Sequence, residues 1–308
     1  MPNRIVSFLP SATEILYELG VGDQIVGVTH ECNYPEQAKS KPQVIHSSFD
    51  PGTMTSLEID KEVVNLMHSG KDIYILDDEI LKKAKPDLIV AQGLCEVCSP
   101  YTKEISRAVA ILDNKPEVLI LEPKNLEDIL QNILDVANKV NKLKEGQNLV
   151  SILQNRITNV QTKPKKSRPK VLCLEWLDPL FTAGHWVPQM VDMAGGINGI
   201  SITGEQSRRM EIDEALYFDP DVIILMPCGF DVKRTILEYE KLANNSKWKM
   251  LKAVKNNEIY AVNANEYFSK PGPRTITGLE ILAKILHPEI YPDLKTPDES
   301  FQKINTKN

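Results

Sequence analysis

DEILKKAKPDLIV, residues 78–90, and DEALYFDPDVII, residues 213–224, are the stretches whose reading decides the fold. Each opens on acidic residues that suit a helix N-terminus and continues as an apolar stripe at helical spacing. Each then breaks at Pro-Asp and ends in a short run of aliphatic residues that reads as a buried strand. A helix handing over to a strand in the same way in both halves of the chain marks two related α/β domains.

Working outward, strands are expected at residues 4–8, 25–29, 87–91 and 117–121 in the first half, and at 170–174, 222–226 and 258–262 in the second. Helices are expected between them, at 56–68, 77–84, 101–112, 187–194, 213–217, 233–242 and 275–286, so the sheets should be mainly parallel. A further helix should start at Ser11, capped by its hydroxyl with Glu14 completing a capping box, and stop at Gly20. Leu126, Ile129, Ile133, Val136, Ala137, Val140 and Leu143 recur at threes and fours, and the pattern runs on to Ile157. This predicts one long helix, kinked near Gly146. The domain plan is a lobe over 1–122, a linker helix over 123–160, a connecting loop over 161–169 and a second lobe over 170–308. The basic run KPKKSRPK at 163–170 reads as a solvated connection, with a polyanion contact as the alternative. Residues 43–74 are expected to form a local cover over the first lobe.

At 308 residues the chain exceeds what one core usually serves. A formal charge of -6 argues against a nucleic-acid binder, which would usually show a basic face. No window holds the run of about 18 apolar residues that a membrane span needs. RIVSFL near the N-terminus passes directly into a helical pattern with Glu14 and Glu18, with no cleavable apolar core. On that reading the chain is cytoplasmic as written, or periplasmic or extracellular if a leader was removed. Five cysteines, an odd number, do not describe a disulfide scaffold.

In an open α/β sheet ligands bind outside the carboxyl ends of strands. The loops at those ends gather Tyr34, Trp176, Phe181, Trp186, Phe230 and Tyr267, rings suited to a flat, largely apolar ligand. His185 sits among them and is the best placed to approach a metal carried by that ligand. His30, Glu31, Cys32, Cys95 and Cys98 form a candidate metal or thiol site, since CxxC at 95–98 can chelate zinc or cycle as a redox pair. A metal- or thiol-dependent cytosolic enzyme using Cys32, Cys95, Cys98 and His185 is the catalytic alternative. GxGxxG, GxxxxGK[ST] and GxSxG are all missing, and no carboxylate pair is placed for acid–base work. No catalytic residue and no required cofactor are therefore assigned.

The ordered set RIVSFLPSATEILYELG, VGVTHECNYP, LKKAKPDLIVAQGLCEVC, CLEWLDPLFTAGHWVPQMVDMAGG and PGPRTITGLEILAKIL resembles the helical-backbone substrate-binding proteins of ABC importers, specifically their vitamin B12-binding branch. The resemblance covers nearly the whole chain. It implies two Rossmann-like lobes joined by a rigid helix, no chemical step, and cobalamin or a related corrinoid held between the lobes. Mapped onto this chain, the ligand contacts it implies are Pro10, Ser11, Ala12, Tyr34, Trp176, Phe181, Trp186, Phe230 and Tyr267. It also implies docking on an importer permease through one acidic residue per lobe, at Glu79 and Asp213. The leaderless start and the cysteine-rich loops depart from the simplest members. They leave intracellular corrinoid handling, haem or an iron chelate as alternatives.

Overall fold

The computed structural model describes residues 2–93 and 102–305. It divides into two compact units. The first comprises Met1–Met54, Lys61–Pro123 and Glu127–Ile152; the second comprises Thr55–Asp60, Lys124–Leu126 and Leu153–Asn308.

In chain order, the first half holds β1 (Ile5–Ser7), α1 (Pro10–Glu18), β2 (Ile25–Thr29), β3 (Gln43–Ser47), α2 (Ser56–His68), β4 (Tyr74–Leu76), α3 (Asp78–Ala84), β5 (Leu88–Gln92), α4 (Thr102–Ile111), β6 (Glu117–Leu121), α5 (Leu126–Lys139) and α6 (Leu143–Gln161). Its sheet runs in the order β4-β3-β2-β1-β5-β6, parallel except for β4. The expected cover over residues 43–74 is thus partly sheet, because β3 and β4 extend one edge of it. Val6, Phe8, Val44, Ile45, Leu81, Ile89 and Ala91 build the core on one side.

The second half holds β7 (Lys170–Leu177), β8 (Leu180–Thr182), α7 (Val187–Ala194), β9 (Ile197–Asn198), α8 (Ile212–Phe218), β10 (Val222–Leu225), α9 (Val232–Ala243), α10 (Lys252–Lys255), β11 (Ile259–Val262), α11 (Ala264–Tyr267), α12 (Thr275–Leu286) and β12 (Phe301–Lys303). The sheet order is β12-β11-β10-β7-β8, with β9 also pairing β7. The two antiparallel additions are β8 and β12. Trp248 is fully buried within this unit's core, beside Leu251 and Ile259.

The repeated Pro-Asp signature has one structural meaning in both units. α3 and α8 end on left-handed residues, Lys85 and Asp219, each followed by a proline. The aspartate after that proline pins the start of the neighbouring parallel strand. Asp87 accepts from Asn3 N and Arg4 N (2.9 and 3.1 Å) beside β1, and Asp221 accepts from Lys170 N (2.8 Å) at the head of β7. In both cases its own N–H donates to a carbonyl of that strand start, Arg4 or Lys170.

Three expectations need correction. Residues 125–160 form two helices rather than one. α5 closes with Lys142 N on Ala137 O and Asn141 N on Asn138 O, around a left-handed Asn141 (φ 55°). That is a Schellman stop. Gly146 is no kink: a Cβ there would lie 2.5 Å from the Ala137 Cβ, so glycine lets α6 pack closely on α5. Ser11 does not cap α1; Pro10 takes the first turn, Leu9 precedes it without a side-chain cap, and the buried Ser11 Oγ has no hydrogen-bond partner among the described residues. The connection at 163–170 is tied down rather than merely solvated. Lys165 Nζ reaches the α6 carbonyls of Val160 and Gln161, and Arg168 donates to Gly196 O.

Candidate functional site

The second unit's sheet changes winding direction between β7 and β10, which places their carboxyl ends at the topological switch point. Sequence reasoning treats residues 175–189 as a loop, but their first part forms a hairpin. β7 continues to Leu177 and β8 returns antiparallel, with Trp176 opposite Phe181 and Leu177 opposite Leu180. Phe181 in turn bridges Arg209. Residues opposite one another share a face of a sheet, so Trp176, Phe181 and Arg209 form a cross-strand row. The Arg209 guanidinium lies over the Phe181 ring, 5.6 Å from its centroid.

Phe230, just past β10, packs against this row, its ring 5.3 Å from that of Trp176. The Arg234 guanidinium also lies over it, 3.8 Å from the ring centroid, a cation–π geometry. Trp176 and Phe181 are half-buried, whereas Phe230, Trp186 and Tyr267 are buried. Those three rings pack inside the unit and support the surface, and Trp176 and Phe181 are the ones that keep exposed area.

His185 stands at the start of α7 in the left-handed region (φ 54°). Its N–H donates to Glu205 O (2.7 Å) and its carbonyl accepts from Gly204 N (2.9 Å), so the backbone is held from both sides. The imidazole stacks on Trp186 at 5.6 Å, and Trp186 Nε1 donates to Phe268 O (3.1 Å). Burial lowers the His185 pKa, so the ring is neutral near pH 7. Its Nδ1 is buried without a hydrogen-bond partner among the described residues.

In the first unit Pro10 is half-buried at the start of α1, Ser11 and Ala12 are buried beneath it, and Tyr34 is exposed. The candidate metal or thiol group does not assemble among the described residues. Cys32 points into the core, where its Sγ accepts from Thr13 Oγ1 (3.1 Å) and lies 3.3 Å from Thr29 Oγ1. His30 Nδ1 faces Ile45 O (3.3 Å), and its Nε2 lies 3.8 Å from Glu31. No group of three metal-binding side chains occurs among the described residues. Cys95 and Cys98 lie outside them.

Glu79 and Asp213 occupy the first turns of α3 and α8 and are exposed. Glu79 is 3.8 Å from Lys82, and both Asp213 oxygens are 2.7 Å from Lys247 Nζ. Tyr217, one turn beyond Asp213, is 93% exposed, an unusual position for so large a ring.

Sequence reasoning missed one cluster. Ser56, at the head of α2, belongs to the second unit with the rest of Thr55–Asp60. Its N–H and Oγ donate to the buried Glu238 carboxylate (3.2 and 2.7 Å), and its carbonyl accepts from Trp176 Nε1 (3.1 Å). The only local signal is T-x-x-E at 55–58, a capping box that forms with Thr55 N on Glu58 Oε2 (2.8 Å) and Glu58 N on Thr55 Oγ1 (3.3 Å).

Among known proteins, the chain is 24% identical to the vitamin B12-binding protein of Vibrio cholerae over 284 residues, 90% of this chain and 86% of that one. It is 26% identical over 301 residues to the uncharacterized ABC transporter substrate-binding lipoprotein YvrC of Bacillus subtilis, covering 95% and 82% of the two. The apo structure of the periplasmic heme-binding protein RhuT from Roseiflexus superposes with a TM-score of 0.70 at 21% identity, covering 94% of this chain and 99% of the other. Periplasmic and lipid-anchored relatives give no support to a cytoplasmic placement. No described helix is long and apolar enough to cross a membrane. The Periplasmic binding protein family matches residues 5–266, through both sheets, and the chain belongs to that family of non-catalytic substrate-binding proteins.

Proposed function

We propose that the chain captures a corrinoid, cobalamin or a precursor, outside the cytoplasm and presents it to an ABC importer permease. The observation that carries this reading is the row of Trp176, Phe181 and Arg209, backed by Phe230, at the carboxyl ends of β7 and β10. Half-buried rings fixed on strands offer flat apolar area at low entropic cost. The likeness to the Vibrio cholerae protein, spanning most of both chains, supports a corrinoid as the cargo. On this reading Pro10 and Tyr34 of the first unit also touch the ligand. Glu79 and Asp213 are the docking charges, with Asp213 exchanging its bond to Lys247 for one to the permease.

A second reading, haem or a ferric chelate, is favoured by His185. A neutral imidazole on a braced backbone is a metal ligand in waiting. Titration with cyanocobalamin, cobinamide, haemin and a ferric hydroxamate, followed by visible absorbance, separates the two. Saturable binding of the corrinoids at micromolar protein, with haemin bound weakly, is the expected result. Saturation by haemin or the hydroxamate alone gives the site to the second reading. Reversing both docking charges, Glu79→Lys with Asp213→Lys, should leave binding intact and abolish delivery to the permease.

A further inference from the structure

The first turn of α2 lies along the aromatic row of the second unit. Ser56 and Asp60, four residues apart, share one face of that helix. Ser56 takes the Trp176 end of the row through its carbonyl, at 3.1 Å from the indole Nε1. Asp60 takes the other end, both oxygens 2.8 Å from Arg209 Nη2, while that same guanidinium covers Phe181. Asp60 is well shielded in this pairing, its side chain 17% exposed. The turn is held from behind by Glu238, whose carboxylate accepts the Ser56 amide and hydroxyl at the positive end of α2 and is itself 3.6 Å from Lys241.

We infer that residues 55–60 are a positioning strap: they fix the orientation of the Trp176 and Phe181 rings, and the ligand is retained only while the strap is fastened. The inference rests on the binding reading for its consequence, but not for its geometry. An indole N–H bond lies in the plane of the ring, so the strap sets the angle of Trp176 while leaving the ring face for a ligand. Arg209 does the same for Phe181 by covering one face and leaving the other. Without these anchors both rings regain rotamer freedom, which binding would have to remove again. Ser56, Asp60 and Glu238 are therefore positioning residues.

The test uses the full chain labelled with [15N]tryptophan, as wild type, as Asp60→Asn with Glu238→Gln, and as Asp60→Glu. Trp176→Phe assigns the Trp176 indole signal. In the double variant the Trp176 indole N–H should shift and exchange about tenfold faster, while the signals of the buried Trp186 and Trp248 stay in place and report an intact fold. The dissociation rate of whichever probe the wild type binds, cobinamide or haemin, should rise about tenfold, and Asp60→Glu should restore most of the retention. An unmoved Trp176 indole signal overturns the strap, as does a moved signal with unchanged dissociation. If the wild type binds neither probe, the binding reading falls on its own and the strap's claim to hold a ligand falls with it. The indole signal then still decides whether the strap orients Trp176. Should the double variant unfold, Ser56→Ala, which loses only the hydroxyl bond to Glu238, is judged by the same two readouts.

Discussion

Trp176 and His185 carry opposite physical signatures, and each leads to a separate expectation. Trp176 is half-buried, anchored at its edge and backed by Phe230. Trp176→Ala should weaken the bound chelate by about 1.4–3 kcal/mol, roughly tenfold or more, as measured by titration. Trp186→Ala removes a buried ring hydrogen-bonded to Phe268 O, and should lower stability by about 3–5 kcal/mol in urea unfolding. For His185 the sign follows from burial. Its folded pKa lies below the ordinary 6.5, so between those values the unfolded chain holds a proton that the folded chain lacks. Its stabilising contribution is complete above pH 6.5 and is lost as pH falls through the folded value. His185→Asn, which tolerates the left-handed backbone, should flatten the fall in stability between pH 7 and 5. An unchanged slope would mean that this imidazole takes its proton as freely in the folded state.

At the scale of the element, the Pro-Asp signature is where sequence and structure agree most closely. The left-handed helix end, the proline and the aspartate that pins the next strand recur in α3–β5 and α8–β10 because each solves the same problem of turning a helix into a parallel strand. For Asp221 burial opposes the charge, but the bonds from Lys252 and from the Lys170 amide outweigh it and hold the carboxyl below its usual range. Asp221→Ala should cost about 1–3 kcal/mol, read by urea unfolding, because the Lys170 amide loses its acceptor at the head of β7. Helix periodicity, in contrast, did not reveal the break between α5 and α6. The apolar spacing is continuous through it, and the stop is set by a single residue, Asn141, that adopts a left-handed conformation at little cost. Gly146→Val should destabilise the first unit by about 1–3 kcal/mol through overpacking on Ala137. β3, β4, β8 and β12 were equally hard to read. β4, β8 and β12 are three-residue edge strands and β3 lies just inside β4, and runs this short carry little alternation to read.

At the scale of the molecule, alternating strands and helices were enough to predict two α/β units with mainly parallel sheets. The loops at strand ends drew attention to these aromatic residues, though not to which rings face out. Burial of Phe230, Trp186 and Tyr267 comes from packing between segments far apart in the chain. The strap was beyond reach for the same reason: Ser56 and Glu238 meet across 182 residues of sequence, and the boundary of the second unit takes in Thr55–Asp60. A ligand that binds only the folded protein stabilises it by mass action, about 2.7 kcal/mol at a hundredfold excess over its dissociation constant. The central claim, capture of a corrinoid without chemistry on it, is tested most directly by incubating the purified protein with cobinamide, following the visible spectrum, and recovering the ligand for mass measurement. The account predicts a saturable spectral change at one ligand per chain and recovery of unaltered cobinamide. No spectral response at tens of micromolar, or recovery of a chemically changed ligand, would contradict it.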